Sequence, residues 1–258
     1  MRAPAPGKNA AGGAVWFATT TLELSEPTTV EFLASSNGTL QVWHDGQSIF
    51  KREQVLTVRA DSVRFTATLA KGSNQILVRV TSPQGASEFQ LRFRRKSSKA
   101  EHELLIQAAS ARPGNAERGR ALFVNAEKSL CIKCHRLGDQ GERIGPELTG
   151  VGSRFARIYV IESIIDPSRT IAPSFKTLSL ALSNGKALNG IKVAETETTL
   201  VLGDNQGQKH TIAKADIEQQ QTQPLSIMPE GIDKRFSVEE FVDLIAFLMS
   251  QRTSAEQR

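Results

Sequence analysis

Apolar and polar positions alternate with a period of two along much of the first hundred residues. Residues 15–24, 29–34, 40–49, 55–58, 63–70, 75–80 and 89–93 are rich in Val, Phe, Leu and Thr, the types that fill a pleated, half-buried surface. Turn chemistry separates them: Ser36-Asn37-Gly38, Asp45-Gly46, Lys71-Gly72-Ser73-Asn74 and Pro83-Gln84-Gly85. Short strands at this spacing, with no helical pattern among them, predict a β-sandwich. After the polar stretch Arg94-Arg95-Lys96-Ser97-Ser98-Lys99 the period changes. Helices are predicted at 103–109, at 116–125 behind an Asn115 cap, at 158–165 before Asp166-Pro167, and at 237–250. Ser237 with Glu240 makes a capping box for the last of these, and Phe241, Leu244, Ile245 and Leu248 form its apolar stripe.

A second β island interrupts the helices. Thr177-Leu178-Ser179-Leu180-Ala181-Leu182 alternates up to Ser183-Asn184-Gly185-Lys186, and 190–194, 199–202 and 210–213 continue around the turn Gly203-Asp204-Asn205-Gln206-Gly207. The expected organisation is a linker at 1–13, a sandwich at 14–97, a linker helix at 98–113, a mainly helical domain at 114–251 with a small meander at about 174–217, and a tail at 252–258.

Composition narrows this little. The chain has 258 residues, 39% hydrophobic and 23% charged, which excludes wholesale disorder. No run approaches 18 consecutive apolar residues, so no transmembrane helix is expected. Charge is uneven: through Lys96 there are 12 Lys and Arg against 7 Asp and Glu, and beyond it 20 against 20. The net +5 therefore sits in the first third, too dilute for a nucleic-acid arm.

Cysteine usage changes the picture. The two cysteines stand in Cys131-Ile132-Lys133-Cys134-His135. Random placement gives this spacing with a following histidine about once in 8,000 arrangements. Cys-x-x-Cys-His is the pattern of c-type haem attachment, in which two thiols form thioethers with the porphyrin vinyl groups and the imidazole lies under the iron. Half a zinc site would need two more ligands, and His44, His102 and His210 show no paired spacing. A redox dithiol is expected near a βαβ pattern, which is absent. For the other axial position Met228 stands in Pro224-Leu225-Ser226-Ile227-Met228-Pro229, where proline holds its predecessor extended. Met249 lies on the last helix, and His210 is the rival ligand.

Several motifs in order then resemble a known family. Cys131–His135, Gly145-Pro146-Glu147-Leu148-Thr149-Gly150-Val151-Gly152-Ser153-Arg154-Phe155, Glu162-Ser163-Ile164-Ile165-Asp166-Pro167-Ser168, Ile227-Met228-Pro229 and the last helix look like the haem-binding c-type cytochrome domain abundant in Planctomycetes and Verrucomicrobia. The run from Gly145 to Arg154 is also similar to that of mitochondrial-type cytochromes c. The resemblance implies a mainly α, class I-like cytochrome c domain carrying one covalent haem c on Cys131 and Cys134, with His135 and Met228 as iron ligands. It implies that the Pro146 carbonyl accepts a hydrogen bond from His135 and that Arg154 reaches a haem propionate. Glu147 stands where the family has Asp. The first domain resembles PA14-like and carbohydrate-binding jelly-roll modules through 32–38, Val42-Trp43-His44-Asp45-Gly46 and 71–78. Trp43 there is either an aromatic sugar platform or a half-buried framework residue.

The expected function is single-electron transfer, not catalysis, in an exported, periplasmic redox chain. The expected partner is a redox protein or a fused dehydrogenase domain, with an export signal on the native precursor and a possible glycan at the sandwich. The alternatives are a carbohydrate-binding protein with a passenger cytochrome, and a haem gas sensor whose Met228 is displaced by CO or NO.

Overall fold

The computed structural model describes residues 7–8, 14–55, 61–82 and 87–252. The chain divides into two compact units, the first ending at Ser98 and the second beginning at Lys99. The expected strand at 55–58 lies, from 56 onward, outside the described residues, as do most of the N-terminal linker and the tail.

In the first unit the strands are β1 (Gly7–Lys8), β2 (Ala14–Leu24), β3 (Thr28–Ser36), β4 (Thr39–His44), β5 (Gln47–Arg52), β6 (Val63–Leu69), β7 (Gly72–Ser82) and β8 (Phe89–Arg95). They form two antiparallel sheets, β1-β2-β7-β4-β5 and β6-β3-β8. The run read as one strand at 40–49 is a hairpin. Asp45 and Gly46 both take positive φ, 47° and 83°, as a two-residue turn of the primed type requires. Alternation then does its work: Val30, Phe32 and Ala34 of one sheet and Leu40, Val42, Ile76, Val78 and Val80 of the other are buried in one core.

The second unit begins with α1 (Ala100–Ala111), which buries His102, Ile106 and Ala109. Then follow α2 (Ala116–Val124), α3 (Cys131–Cys134), α4 (Val151–Arg154) and α5 (Arg157–Ile165). The helices close with α6 (Val238–Ser250), whose buried face includes Phe241, Leu244, Ile245 and Leu248. Both expected caps are present: Asn115 accepts from the Arg118 N–H at 2.9 Å, and Ser237 and Glu240 form the reciprocal box. Asp243, buried on α6, ties α6 to the start of α2. Its carboxylate accepts from the Asn115 N–H at 2.6 Å and from Arg118 Nε at 2.6 Å.

The expectation of a mainly α cytochrome domain is not met. Between α5 and α6 lie β9 (Thr177–Leu182), β10 (Ala187–Glu195), β11 (Thr199–Gly203), β12 (Lys209–Ala213) and β13 (Ile217–Gln223). They form a five-stranded antiparallel sheet ordered β12-β11-β10-β9-β13, with its own core of Leu180, Leu182, Leu200, Leu202 and Ile212. Among the described residues the chain has thirteen strands in three antiparallel sheets, against six α-helices of which two are single turns. The molecule is mostly β. The sheet is larger than the expected meander because β13, Ile-Glu-Gln-Gln-Gln-Thr-Gln, is an exposed edge strand that lacks the apolar alternation marking its neighbours.

The α2–α6 tie makes a prediction. Burial works to raise the Asp243 carboxyl, but the hydrogen bonds from Arg118 and the Asn115 N–H outweigh it and hold it below the ordinary value. Its contribution is therefore present above the unfolded value near 3.8 and is lost as pH falls through that range. Arg118 is largely exposed, which screens its share. Asp243→Ala is expected to cost about 2 kcal/mol in urea unfolding at pH 7 and much less at pH 2; equal costs at both pH values would sink the account.

Candidate functional site

The site grows from one helical turn. α3 is four residues long, so Cys131 and Cys134 stand at its two ends and on one side, three positions apart. Leu130 enters it in the left-handed region, φ 63°, a conformation costing a leucine about 1 kcal/mol or more. The His135 N–H closes the turn on the Cys131 carbonyl at 2.8 Å. The chain then doubles back. The N–H groups of Ile144 and Gly145 both donate to the Cys134 carbonyl, at 3.0 and 2.8 Å, and Leu148 donates to the Arg136 carbonyl at 2.9 Å.

This strapping sets Pro146 beside His135. Nδ1–H donates to the Pro146 carbonyl at 2.8 Å, which leaves Nε2 as the ring's lone-pair nitrogen. The ring lies directly on Gly145, where an added Cβ would come 2.7 Å from Cε1 and 2.9 Å from Nδ1. Only glycine leaves the imidazole this seat. Burial lowers the His135 pKa, with the Pro146 carbonyl opposing, so the neutral imidazole is favoured.

The ring opens onto a cavity of about 320 Å³, lined mainly by apolar side chains. Cys131, Cys134, His135, Pro146, Arg154 and Met228 all line it. The six residues singled out by sequence are thus brought together from four stretches of chain. Burial pushes both thiols up, and at Cys134 the Asp204 carboxylate adds to it; both cysteines are free. A dithiol tuned for exchange has its reactive thiol lowered instead.

Met228 is presented by an anchored loop. Its N–H donates to Ser226 Oγ at 3.1 Å, the Ser226 N–H donates to Ser168 Oγ at 3.1 Å, and Thr177 Oγ1 donates to the Leu225 carbonyl at 2.8 Å. Met249 and His210 are not among the lining residues; His210 Nε2 is bonded to Asp204 Oδ2 at 2.7 Å. Arg154 Nη2 donates to the carbonyls of Glu147 and Thr149 while its guanidinium lies 5.5 Å over the Phe155 ring.

The β sheet also reaches the cavity. Ile191 and Asn205 contribute to its wall, so the meander forms part of the cavity. Sequence reasoning missed these two along with Leu130 and Tyr159. The turn at 203–207 was visible as a turn, but nothing in it says which body it packs against.

No family model and no curated protein matches the chain. Among solved structures it is similar to the PA14 sugar-binding domain of an RTX adhesin, at 18% identity over 33% of this chain and 47% of that one, TM-score 0.29. It is similar also to the PA14 domain of MpAFP antifreeze protein, at 12% identity over 34% and 46%, TM-score 0.29. A β-glucosidase from Kluyveromyces marxianus aligns at 17% identity over 38% of this chain and 13% of that one, TM-score 0.28. The chain spans about half the length of the PA14 structures. At such TM-scores these likenesses carry no argument about function, and none of them points to a c-type cytochrome.

The seat of His135 is testable without any cofactor. At pH 7 the imidazole is expected to carry its proton on Nδ1 in nitrogen NMR. Because burial lowers its pKa, the contribution is present above the unfolded value near 6.5 and declines as pH falls below it. Gly145→Ala is expected to displace the ring and cost roughly 1–3 kcal/mol; an unchanged tautomer and unfolding midpoint in that variant would refute the seat.

Proposed function

We propose that the second unit holds one haem c, attached through Cys131 and Cys134, and that the protein passes single electrons. The observation that carries this reading is the Nδ1–H bond from His135 to Pro146, which leaves Nε2 lone-paired at an apolar cavity that Met228 also lines. Among the described residues no three His, Cys, Asp or Glu side chains converge as a metal site. A porphyrin brings four nitrogen ligands of its own, so one imidazole and one thioether suffice. The residues therefore fit the group. When bound, its iron would supply a one-electron couple, and His135 and Met228 are the side chains that would hold it.

The chain's own part is placement. The Pro146 carbonyl fixes the ring plane and raises the basicity of Nε2. The apolar wall excludes water, and Arg154 at its margin offers a cation to a carboxylate group. The cysteines sit on one turn with raised pKa values, as thiols available for thioether formation. With both His135 and Met228 holding such a group, no open position would be left for a substrate, which favours electron transfer over catalysis. Thioether formation also implies export of the protein, with a redox protein or a fused dehydrogenase domain as partner.

A second reading concerns the first unit, as a glycan-binding module. Register places Phe17, Arg79, Gln41 and Lys51 in one row across β2, β7, β4 and β5, on the face opposite the core. Phe17 is 53% exposed. Arg79 Nη2 donates to Gln41 Oε1 at 2.9 Å, and its guanidinium lies 5.6 Å over Trp43. Trp43 is half-buried with one ring face occupied, so Phe17 is the ring free to take a pyranose face while Arg79 and Gln41 meet hydroxyl or acidic groups.

Expressed with a haem-attachment system and an export signal, the protein is expected to gain the mass of one haem that survives acid–acetone extraction. Met228→Ala should keep that mass, lose the ferric iron–thioether absorption band, lower the reduction potential and admit CO; Met249→Ala should change none of these. Release of the haem under extraction would end the proposal. A Met228→Ala protein still six-coordinate at an unaltered potential would remove Met228 as ligand.

For the sandwich, a glycan array with the whole chain is expected to show salt-sensitive binding of an acidic glycan. Phe17→Ala should weaken it by up to about tenfold and Arg79→Ala should abolish its salt dependence. Binding unchanged by both variants would exclude this face.

A further inference from the structure

The hairpin of β11 and β12 is pressed against the Cys-x-x-Cys-His turn. Gly207, at φ 85°, approaches so closely that an added Cβ would lie 2.6 Å from the Lys133 carbonyl oxygen. Lys209 pairs with Glu142 at 2.7 Å, tying β12 to the loop that follows His135. Ile144 packs on Gly203, where an added Cβ would lie 2.7 Å from its side chain, and Asn205 reaches the cavity wall. At the head of this hairpin Asp204 and His210 form a pair at 2.7 Å.

We infer that the Asp204–His210 pair is a proton-binding site that couples the reduction potential of the haem to pH. The inference rests on the haem reading above. Imidazole is the side chain that changes charge near neutrality, and here it is 32% exposed, open to exchange with solvent, while Asp204 is 20% exposed. The Asp204 side chain also accepts the N–H groups of Gln206 and Gln208, at 2.8 and 2.9 Å, which hold it in place and anionic. Burial works to raise its carboxyl, and these bonds with His210 outweigh it.

With His210 protonated the pair is neutral; with His210 neutral it carries one negative charge beside Cys134. The other charges facing this corner are Lys133 on α3 and the Glu142–Lys209 pair. A negative charge near the porphyrin disfavours the added electron. Reduction by one electron from a donor protein, or from an electrode, is therefore accompanied by uptake of a solvent proton at His210, and reoxidation releases both. By linkage the reduced protein binds that proton more tightly than the oxidised one.

The test is a reduction-potential titration of the haem-loaded chain on an electrode between pH 5 and 8. The wild-type potential is expected to fall with rising pH, and His210→Asn to flatten that fall. Asp204→Asn is expected to raise the potential across the range. Haem content and the iron–thioether band serve as the check that both variants are folded. An attached haem whose potential follows the same pH profile in wild type and both variants overturns the coupling and leaves the haem reading intact. Absence of attached haem in the wild type overturns the haem reading itself.

Discussion

The hydrogen bond from His135 Nδ1 to the Pro146 carbonyl is the constraint around which the second unit is arranged. For it to form, the segment from Ile144 to Leu148 must run back along residues 134–136, which the backbone bonds to Cys134 and Arg136 achieve. For the ring to lie flat on that segment, position 145 must lack a side chain. For the ring to stay neutral, it must be enclosed. These demands all serve one orientation of one imidazole.

The sheet from Thr177 to Gln223 divides its work. Its own core makes it stable as a body, and one end of it, the β11–β12 hairpin, closes over the segment bearing the cysteines. The site is therefore built where a helical framework and a sheet meet. α2 and α6 hold the framework, α3 carries the cysteines, and the sheet adds charge and two wall residues. The sandwich unit has its own core and a separate outward face.

Much of this was legible in the sequence because the signals were local. The spacing of Cys131, Cys134 and His135, the Ser237–Glu240 box, the Asn115 cap and the proline after Met228 each act within a few residues. All six candidate site residues line one cavity. The fold class was misjudged where the information is not local. β13 is polar because it is an edge strand with an exposed face, and a polar edge strand leaves no periodic trace. The residues 40–49 read as one apolar run although Asp45-Gly46 marks a turn within it, and it is at those two positive-φ residues that the run folds into a hairpin. That Ile191 and Asn205 reach the cavity depends on packing between distant segments, which no window of sequence contains.

The pairing at the sheet's root has a bearing on how such a chain comes to exist. Thr177, the first residue of β9, lies opposite Gln223, the last of β13. Departure from the helical body and return to it thus occur side by side, so the interruption spans almost no distance where it joins its host. Loop-closure entropy grows only with the logarithm of the length inserted, and a detour that zips its own ends together removes most of that cost. The helical host can accept, lengthen or exchange this excursion while its own framework keeps its path, leaving the tip of the excursion free to acquire a new role beside the cysteines.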